Sequence, residues 1–324
     1  VDKKMERARD GSGDRGTVGA RGAGPSAAAS KGAIGFLLRS VGTDSNRLPH
    51  TGATRYDEAQ PKIPAAAISV PDADLLAAEF ASGKPVRFHL QLETEKLAEE
   101  ESGNVIGEIP GNRKAGQVEE FVILGCHLDS WDLGTGALDD GAGCAIAIET
   151  ARQIAALPQE DRPWRTLRVV LFANEEFGLS GARAYAEAHK DELARHAAAA
   201  EADLGDGPPH HFSTRVSAAA LPAVDELARR LLAPLGIERG DNESFGGADL
   251  GPLAPAGVPV VSFEQDASTY FDIHHSANDT IDKVSAKRLD QNVAAWASMI
   301  YALAASDLTL GPASIPEEGA TRRR

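Results

Sequence analysis

The sequence predicts an α/β protein with a mostly parallel central sheet covered by helices on both faces. Three observations predict it. From Asn104 onward, apolar runs of strand length alternate with helical patterns, as in sheets built from strand–helix–strand units. Two of the runs, EEFVILGCHL (119–128) and TLRVVLFA (166–173), are almost continuously apolar, as strands covered on both faces must be. Three runs also end in groups that bind metals or move protons: His127 with Asp129, Glu175 with Glu176, and Asp203.

Taken in order, residues 1–30 are rich in Gly, Ala, Ser, Arg and Asp without apolar periodicity, which predicts a disordered lead-in. Residues 31–92 form a first unit. In it GAIGFLLRS and PKIPAAAISV read as short strands, and PDADLLAAEFASG as a helix that begins on Pro71 and Asp72 and stops at Gly83. VRFHLQL alternates strictly, with Val86, Phe88, Leu90 and Leu92 on one face of a predicted strand. The acidic stretch KLAEEESGN separates this unit from a second, 93–310, and 311–324 is a tail. In the second unit NVIGEI is a strand and GNRKAGQ a turn. Asp140 and Gly141 open an Ala-rich helix that ends at Leu157 before Pro158. GLSGARAYAEAHK and DELARHAAA read as helical, and AAAAEADL as a weaker strand. A helix after Pro222 carries a stripe of Val224, Leu227, Leu231 and Leu235. GVPVVSF is a strand, and the last helix aligns Leu289, Val293, Trp296, Ile300 and Leu303 toward the core.

The chain of 324 residues is 42% hydrophobic, enough for a full core and for one large domain with a smaller one. A formal charge of −15 argues against a nucleic-acid partner, which would need a basic stripe. No apolar run is long enough to span a bilayer, and the opening VDKKMERARD has no signal-like apolar core. Cys126 and Cys144 lie in apolar contexts and read as small buried thiols rather than as a disulfide pair.

A single carboxylate at a strand end most often caps a helix. Five groups of ligand type at strand ends or Gly-rich turns on one side of a sheet call for another explanation. Two histidines with three carboxylates suit zinc, and one carboxylate between two ions can give an oxygen to each. A further carboxylate that is not a ligand then takes the proton of the attacking water. Glu175 and Glu176, leaving a strand in succession, can divide these duties.

HLDSWDLGTGALDDGAG, TLRVVLFANEEFGLSGA, EADLG, GGADLGPLAPAGVP and YFDIHHSANDT together resemble the co-catalytic di-zinc aminopeptidase family, in its carboxypeptidase Q-like branch, over about residues 31–305. The resemblance implies a zinc exopeptidase fold in which one zinc is held by His127, Asp139 and Asp203 and a second by Asp139, Glu176 and His275. Glu175 would be the general base, Asp129 the carboxylate that orients His127, and Asp279 its counterpart for His275. The Asp139–Asp140 peptide would be cis. His274 stands where some relatives carry tyrosine, so binding of the substrate carbonyl oxygen and plain packing beside His275 are both open readings. The implied activity is hydrolysis of dipeptides or of N-terminal residues of short peptides through a metal-bridging hydroxide. The substrate would be the main partner, with a homodimer as a further expectation and a secreted or periplasmic home.

The other histidines read as ordinary. His50, His189 and His196 fall in loops or on helix faces, and His210 with His211 in a surface turn, where that pair is the one rival for a ligand. Trp131, Phe177, Tyr270 and Phe271 either wall a substrate pocket or simply pack. Residues 31–92 resemble the later part of a protease-associated insert. The segment that precedes it in such relatives has no counterpart here, which allows apolar surface to be exposed or a partner to be bound. Two alternatives stand beside the peptidase. A glutaminyl cyclase-like acyltransferase would use a single zinc, and an inactive binding module would follow from the missing N-terminal part.

Overall fold

The computed structural model describes residues 1–95 and 97–314. Most of the predicted C-terminal tail, 315–324, lies outside the described residues. The chain divides into two compact units. One comprises 1–101, 130–135 and 267–280, and the other 102–129, 136–266 and 281–324.

The first unit opens with helix α1, Ser12–Ala29, followed by strands β1, Phe36–Arg39, and β2, Ala65–Ile68, and then helix α2, Val70–Ala81. The expected disorder of residues 1–30 is corrected here. Composition suggested it because Gly is costly in a helix and no apolar stripe runs along the segment. The helix is instead held by tertiary packing. Ala29 joins Phe36, Leu38, Val41 and Ile63 in a small core, with Met5, Ala20 and Ala28 against it. β1 and β2 pair in parallel. The buried Arg39 is held by Asp2 at 2.5 Å and Asp74 at 2.8 Å. Ser69 caps α2 by accepting from the Asp72 amide at 3.2 Å, which starts the helix one residue before the predicted Pro71. The alternating segment 86–92 is not a strand. Phe88, Leu90 and Leu92 are 50%, 37% and 43% exposed, and among the described residues no strand pairs with it. Alternation supplies a face but not the neighbouring backbone that a strand must bond.

The second unit is built on seven strands: β3 (Val105–Ile109), β4 (Phe121–His127), β5 (Thr166–Phe172), β6 (His196–Glu201), β7 (Pro209–Arg215), β8 (Glu238–Arg239) and β9 (Val260–Gln265). Their order is β3-β5-β4-β6-β9-β7-β8. The pairs β5–β4, β4–β6, β6–β9 and β7–β8 are parallel, and β3–β5 and β7–β9 antiparallel. The predicted α/β sheet is thus present. Side chains alternate across it. Val122 and Leu124 join a core with helices α3 (Gly141–Ala155), α5 (Leu221–Leu231) and α6 (Ala286–Ala305), through Ile146, Val224, Trp296 and Ile300. Phe121 and Ile123 face the other way, toward Ala182 and Tyr185 of helix α4 (Ser180–Ala188) and toward Leu250 and Leu253.

Three readings are corrected in this unit. DELARHAAA forms only a short 3-10 turn, Leu193–Arg195, before β6 takes the alanines. Burial between two strands overrides their helical preference. His210 and His211 lie on β7, not in a turn. Cys126 and Cys144 form a disulfide between the end of β4 and the first turn of α3, where their Cα atoms are 5.1 Å apart. That spacing is ordinary for a bridge, and it depends on how α3 folds back over the strand. No helix among the described residues is long and apolar enough to cross a membrane.

Candidate metal centre

The chain forms β4, then β5 on one side of it and β6 on the other, so β4 is the point where the strand order reverses. Ligands of open parallel sheets bind outside the carboxyl ends of strands at such a point. His127 is the last residue of β4, Glu175 and Glu176 follow β5, and Asp203 follows β6.

His127 is buried. Its Nδ1 lies 2.9 Å from the Asp129 carbonyl oxygen. With Nδ1 engaged there, Nε2 faces Asp139 Oδ1 at 3.3 Å and Asp203 Oδ1 at 3.4 Å, and is the nitrogen that a metal would take. Ligands about 2.0–2.1 Å from a tetrahedral zinc lie roughly 3.3 Å from one another, so His127 stands at zinc-ligand spacing from each of the two carboxylates. His127, Glu175 and Glu176 also offer ligand atoms that all lie within 4.8 Å of one another.

Asp129 meets His127 through its carbonyl rather than its carboxylate, whose Oδ1 is 3.8 Å from Nδ1. The carboxylate instead accepts from the amides of Glu175 at 2.9 Å and Glu176 at 3.1 Å. One residue therefore sets both the ring and the turn that carries the glutamate pair. That turn is entered through Asn174 at φ 61°, a left-handed conformation that Asn tolerates better than most side chains.

Asp140 was read only as a helix start, yet it is central. Its carboxylate accepts from Gly143 N and His127 N, both at 3.1 Å, so one side chain caps α3 and pins the end of β4. A side chain at 143 would collide with the Ala202 carbonyl, so glycine is what lets α3 begin against the end of β6. The Asp139–Asp140 peptide is cis, in line with the resemblance.

Glu201 and Asp249 were not singled out from sequence. The Asp249 amide donates to Glu201 Oε2 at 3.0 Å deep in the same cluster. The signal available was a glutamate inside an alanine strand, and an aspartate in a Gly-rich loop. Burial, then the charge of Asp249, pushes the Glu201 carboxyl well up. Burial likewise raises Asp249 to about 7 and Glu175 to about 8, the latter helped by the charge of Asp203. Burial would lower His127, but the charge of Asp203 and the contacts with Asp139 and Asp203 raise it far above the usual imidazole range. The cluster sets several carboxyl groups close to His127 and to one another, which raises Glu175, Glu201 and Asp249. A divalent cation would offset that crowding.

His274, His275 and Asp279 belong to the first unit. His275 adopts φ 59°, its ring stacks on His274 with centroids 3.6 Å apart, and its Nδ1 is 3.2 Å from Thr51 O and 3.3 Å from Arg21 Nη1. Both contacts engage Nδ1, so a metal contact of this ring would use Nε2. Arg21 comes from α1, the segment expected to be disordered. Trp131 tilts against His275 at 5.8 Å between ring centroids. Tyr270 and Phe271 are buried, and Phe177 is exposed. His50, expected to be unremarkable, is buried with Nε2 2.9 Å from Asp44 and Nδ1 2.6 Å from the His274 carbonyl.

Residues 104–300 match the model of peptidase family M28, and the chain belongs to that family. It is similar to carboxypeptidase Q of Mus musculus, 36% identical over 86% of this chain and 58% of that one. It is also similar to carboxypeptidase Q of Homo sapiens, 36% identical over 89% and 60%. It thus spans about three-fifths of the length of these relatives. The crystal structure of a peptidase M28 precursor from Shewanella amazonensis superposes with a TM-score of 0.92 at 46% identity, covering 97% of this chain and 70% of that one. A zinc aminopeptidase from Bacillus subtilis, at TM-score 0.61 and 20% identity over 89% and 68%, shares the fold.

Proposed function

We propose that this member of peptidase family M28 is a zinc-dependent metallo-exopeptidase that hydrolyses dipeptides or removes the N-terminal residue from short peptides. The observation that carries the proposal is His127 Nε2 at 3.3 Å from Asp139 and 3.4 Å from Asp203, with Glu175 and Glu176 offering ligand atoms beside it. His127, Asp139 and Asp203 would hold one zinc. Asp139 and Glu176 would take part in holding a second, and His275, on the other unit, enters as its ligand on the sequence resemblance alone. Zinc, when bound, supplies Lewis acidity toward a peptide carbonyl and makes water acidic enough to attack near neutral pH.

Glu175 accepts the proton of the attacking water and returns it to the departing amine. Burial and the neighbouring carboxylates raise it to about 8, so it needs neighbouring positive charge to be ionised at neutral pH. Asp129 is a positioning residue that holds the Glu175–Glu176 turn and the His127 ring together. Asp139, Asp140, Glu201 and Asp249 of the strand-end cluster are buried, where interactions of carboxylates with a cation are strong. The Cys126–Cys144 bridge favours an oxidising compartment, which supports a secreted or periplasmic home.

The test is an assay of the purified, zinc-loaded chain against a panel of dipeptides, amino-acid amides and glutaminyl peptides, with bound metal counted. Free amino acids with at least two zinc ions per chain are expected. One ion with a cyclised glutaminyl product would replace this reading with acyl transfer. A folded, loaded chain that turns over nothing would replace it with binding.

A further inference from the structure

The pair His210–His211 is not absorbed by the strand-end centre, and its surroundings have the make-up of a ligand set. β7 is irregular at this place. Pro209 pairs with Gln265 and His211 with Glu264, so two residue steps on β7 face one on β9. Consecutive residues of a regular strand point to opposite faces, and an extra residue cancels that alternation. The two imidazoles therefore turn toward each other, with Nδ1 atoms 2.5 Å apart. Glu264, across the ladder from His211, brings Oε2 to 3.9 Å from His211 Nδ1. His210, His211 and Glu264 each offer an atom within 4.8 Å of the others.

The supporting contacts resemble those around a bound metal. Ser213 donates to Glu264 Oε1 at 2.6 Å, which leaves Oε2 for the histidines. On the far side of the ring, His211 Nε2 lies 3.6 Å from Glu238 Oε2 on β8. A histidine with one nitrogen toward a ligand point and the other toward a carboxylate is the usual outer arrangement of a metal-binding imidazole. Arg239, beside Glu238, does not neutralise the group, because its guanidinium is committed to Asp225 at 2.8 Å and to the Phe212 carbonyl at 2.9 Å. A Cβ at position 240 would strike Ser213 Oγ, so glycine there lets the chain leaving β8 close against the residue that orients Glu264.

We propose that His210, His211 and Glu264 form a second metal site, which takes a borderline transition-metal ion such as zinc with water in the remaining position. Two imidazoles and one carboxylate suit zinc, copper or nickel rather than magnesium or calcium. Reaching zinc-ligand spacing of roughly 3.3 Å requires the two rings to part and Glu264 to close in, each by less than about 1 Å. Those are side-chain movements within the existing ladder. The site lies between β7 and β9 on the second unit, so an ion there would clip the antiparallel pair.

The test uses the full chain stripped of metal, with zinc as the probe. Bound zinc per chain is counted after dialysis, and cobalt is substituted to follow its visible absorption. His211→Gln, Glu264→Gln and the double variant His210→Ala/His211→Ala are compared with the parent, and the two single variants answer the question if the double variant does not fold. The expected result is loss of one equivalent of zinc and part of the cobalt absorption, with peptide turnover per chain unchanged. The same variants also lose part of the zinc-induced rise in Tm when made in a His127→Ala background. Equal zinc stoichiometry, equal cobalt spectra and an equal Tm rise in parent and variants would overturn the site.

Discussion

The same three strands, β4, β5 and β6, carry a cluster of ionisable groups at each end, and the two clusters solve the problem of buried charge in opposite ways. Near the amino ends, Arg168 of β5 pairs with Glu108 and Glu192, both at 2.6 Å, donates to Tyr185 at 2.9 Å, and lies over the Phe121 ring at 4.0 Å. Burial pushes Glu192 up, but Arg168 outweighs it and holds the carboxyl below its usual range. Charge there is balanced by the protein itself. At the carboxyl ends, Asp139, Asp140, Glu175, Glu201, Asp203 and Asp249 gather around His127, and Asp140, Glu175, Glu201 and Asp249 are pushed up. Crowding ionised carboxylates in a buried place costs several kcal/mol, and cations bound there would offset that cost, so the second cluster makes physical sense as a receptor for cations. A balanced network stabilises a fold, whereas an unbalanced one binds.

The largest test of this contrast is Glu175→Gln. It preserves shape and removes the proton acceptor, so kcat should fall roughly 100- to 10,000-fold while metal content and Tm hold. Full turnover would remove Glu175 from the chemistry.

Stripping metal comes next. Bound ions at a thousand times their Kd stabilise by about 4 kcal/mol, and a chelator should withdraw that amount. The pH response of the stripped chain separates the two clusters. Folded Glu175 and Asp249 hold protons up to about 8 and about 7, above their ordinary 4.5 and 3.8. The native state therefore binds more protons than the unfolded one in that window, and stability falls as pH rises through it. Denaturant titrations from pH 5 to 8 should show the decline in the stripped chain and not in the zinc-loaded one.

His196, in the balanced cluster, has the opposite sign. Burial lowers it from 6.5 to about 4, and its Nε2 lies 2.9 Å from the Tyr185 hydroxyl. Between those values the unfolded chain binds the extra proton, so stability is lost as pH falls from 6.5 toward about 4, by about 3 kcal/mol in total. His196→Gln should flatten the acid limb of the stability curve. An unchanged limb would assign that loss to other groups.

The smallest expected effect is that of Asp129→Asn. It keeps the carbonyl that holds His127 but leaves one oxygen for two amides, and a loss of about 10-fold in zinc affinity or kcat/KM is expected. The same loss from Glu108→Gln, at the balanced end, would mean that the two clusters are not separable.

Much of this was legible in the residues. Apolar runs located β4, β5 and β9, the stripe of Val293, Trp296 and Ile300 located α6, and polar residues at strand ends pointed to His127, Glu175, Glu176 and Asp203. These signals are local, since periodicity and the residue after a strand are properties of a few neighbours. Whatever depends on partners distant in sequence was not legible. Strand-like residues 86–92 found no ladder to join, while α1 found a core despite its glycines. Asp129 was expected to meet His127 through its carboxylate, and the turn after β4 presents its carbonyl instead. Cys126 and Cys144 became a bridge because α3 folds back over β4, and His210 and His211 turned toward each other because β7 slips against β9. The sequence by itself determined where the central strands and the last helix lie and which chemical groups stand at the strand ends. The tertiary structure decided which of those groups meet, because hydrogen bonds and buried charges are settled between segments that only folding brings together.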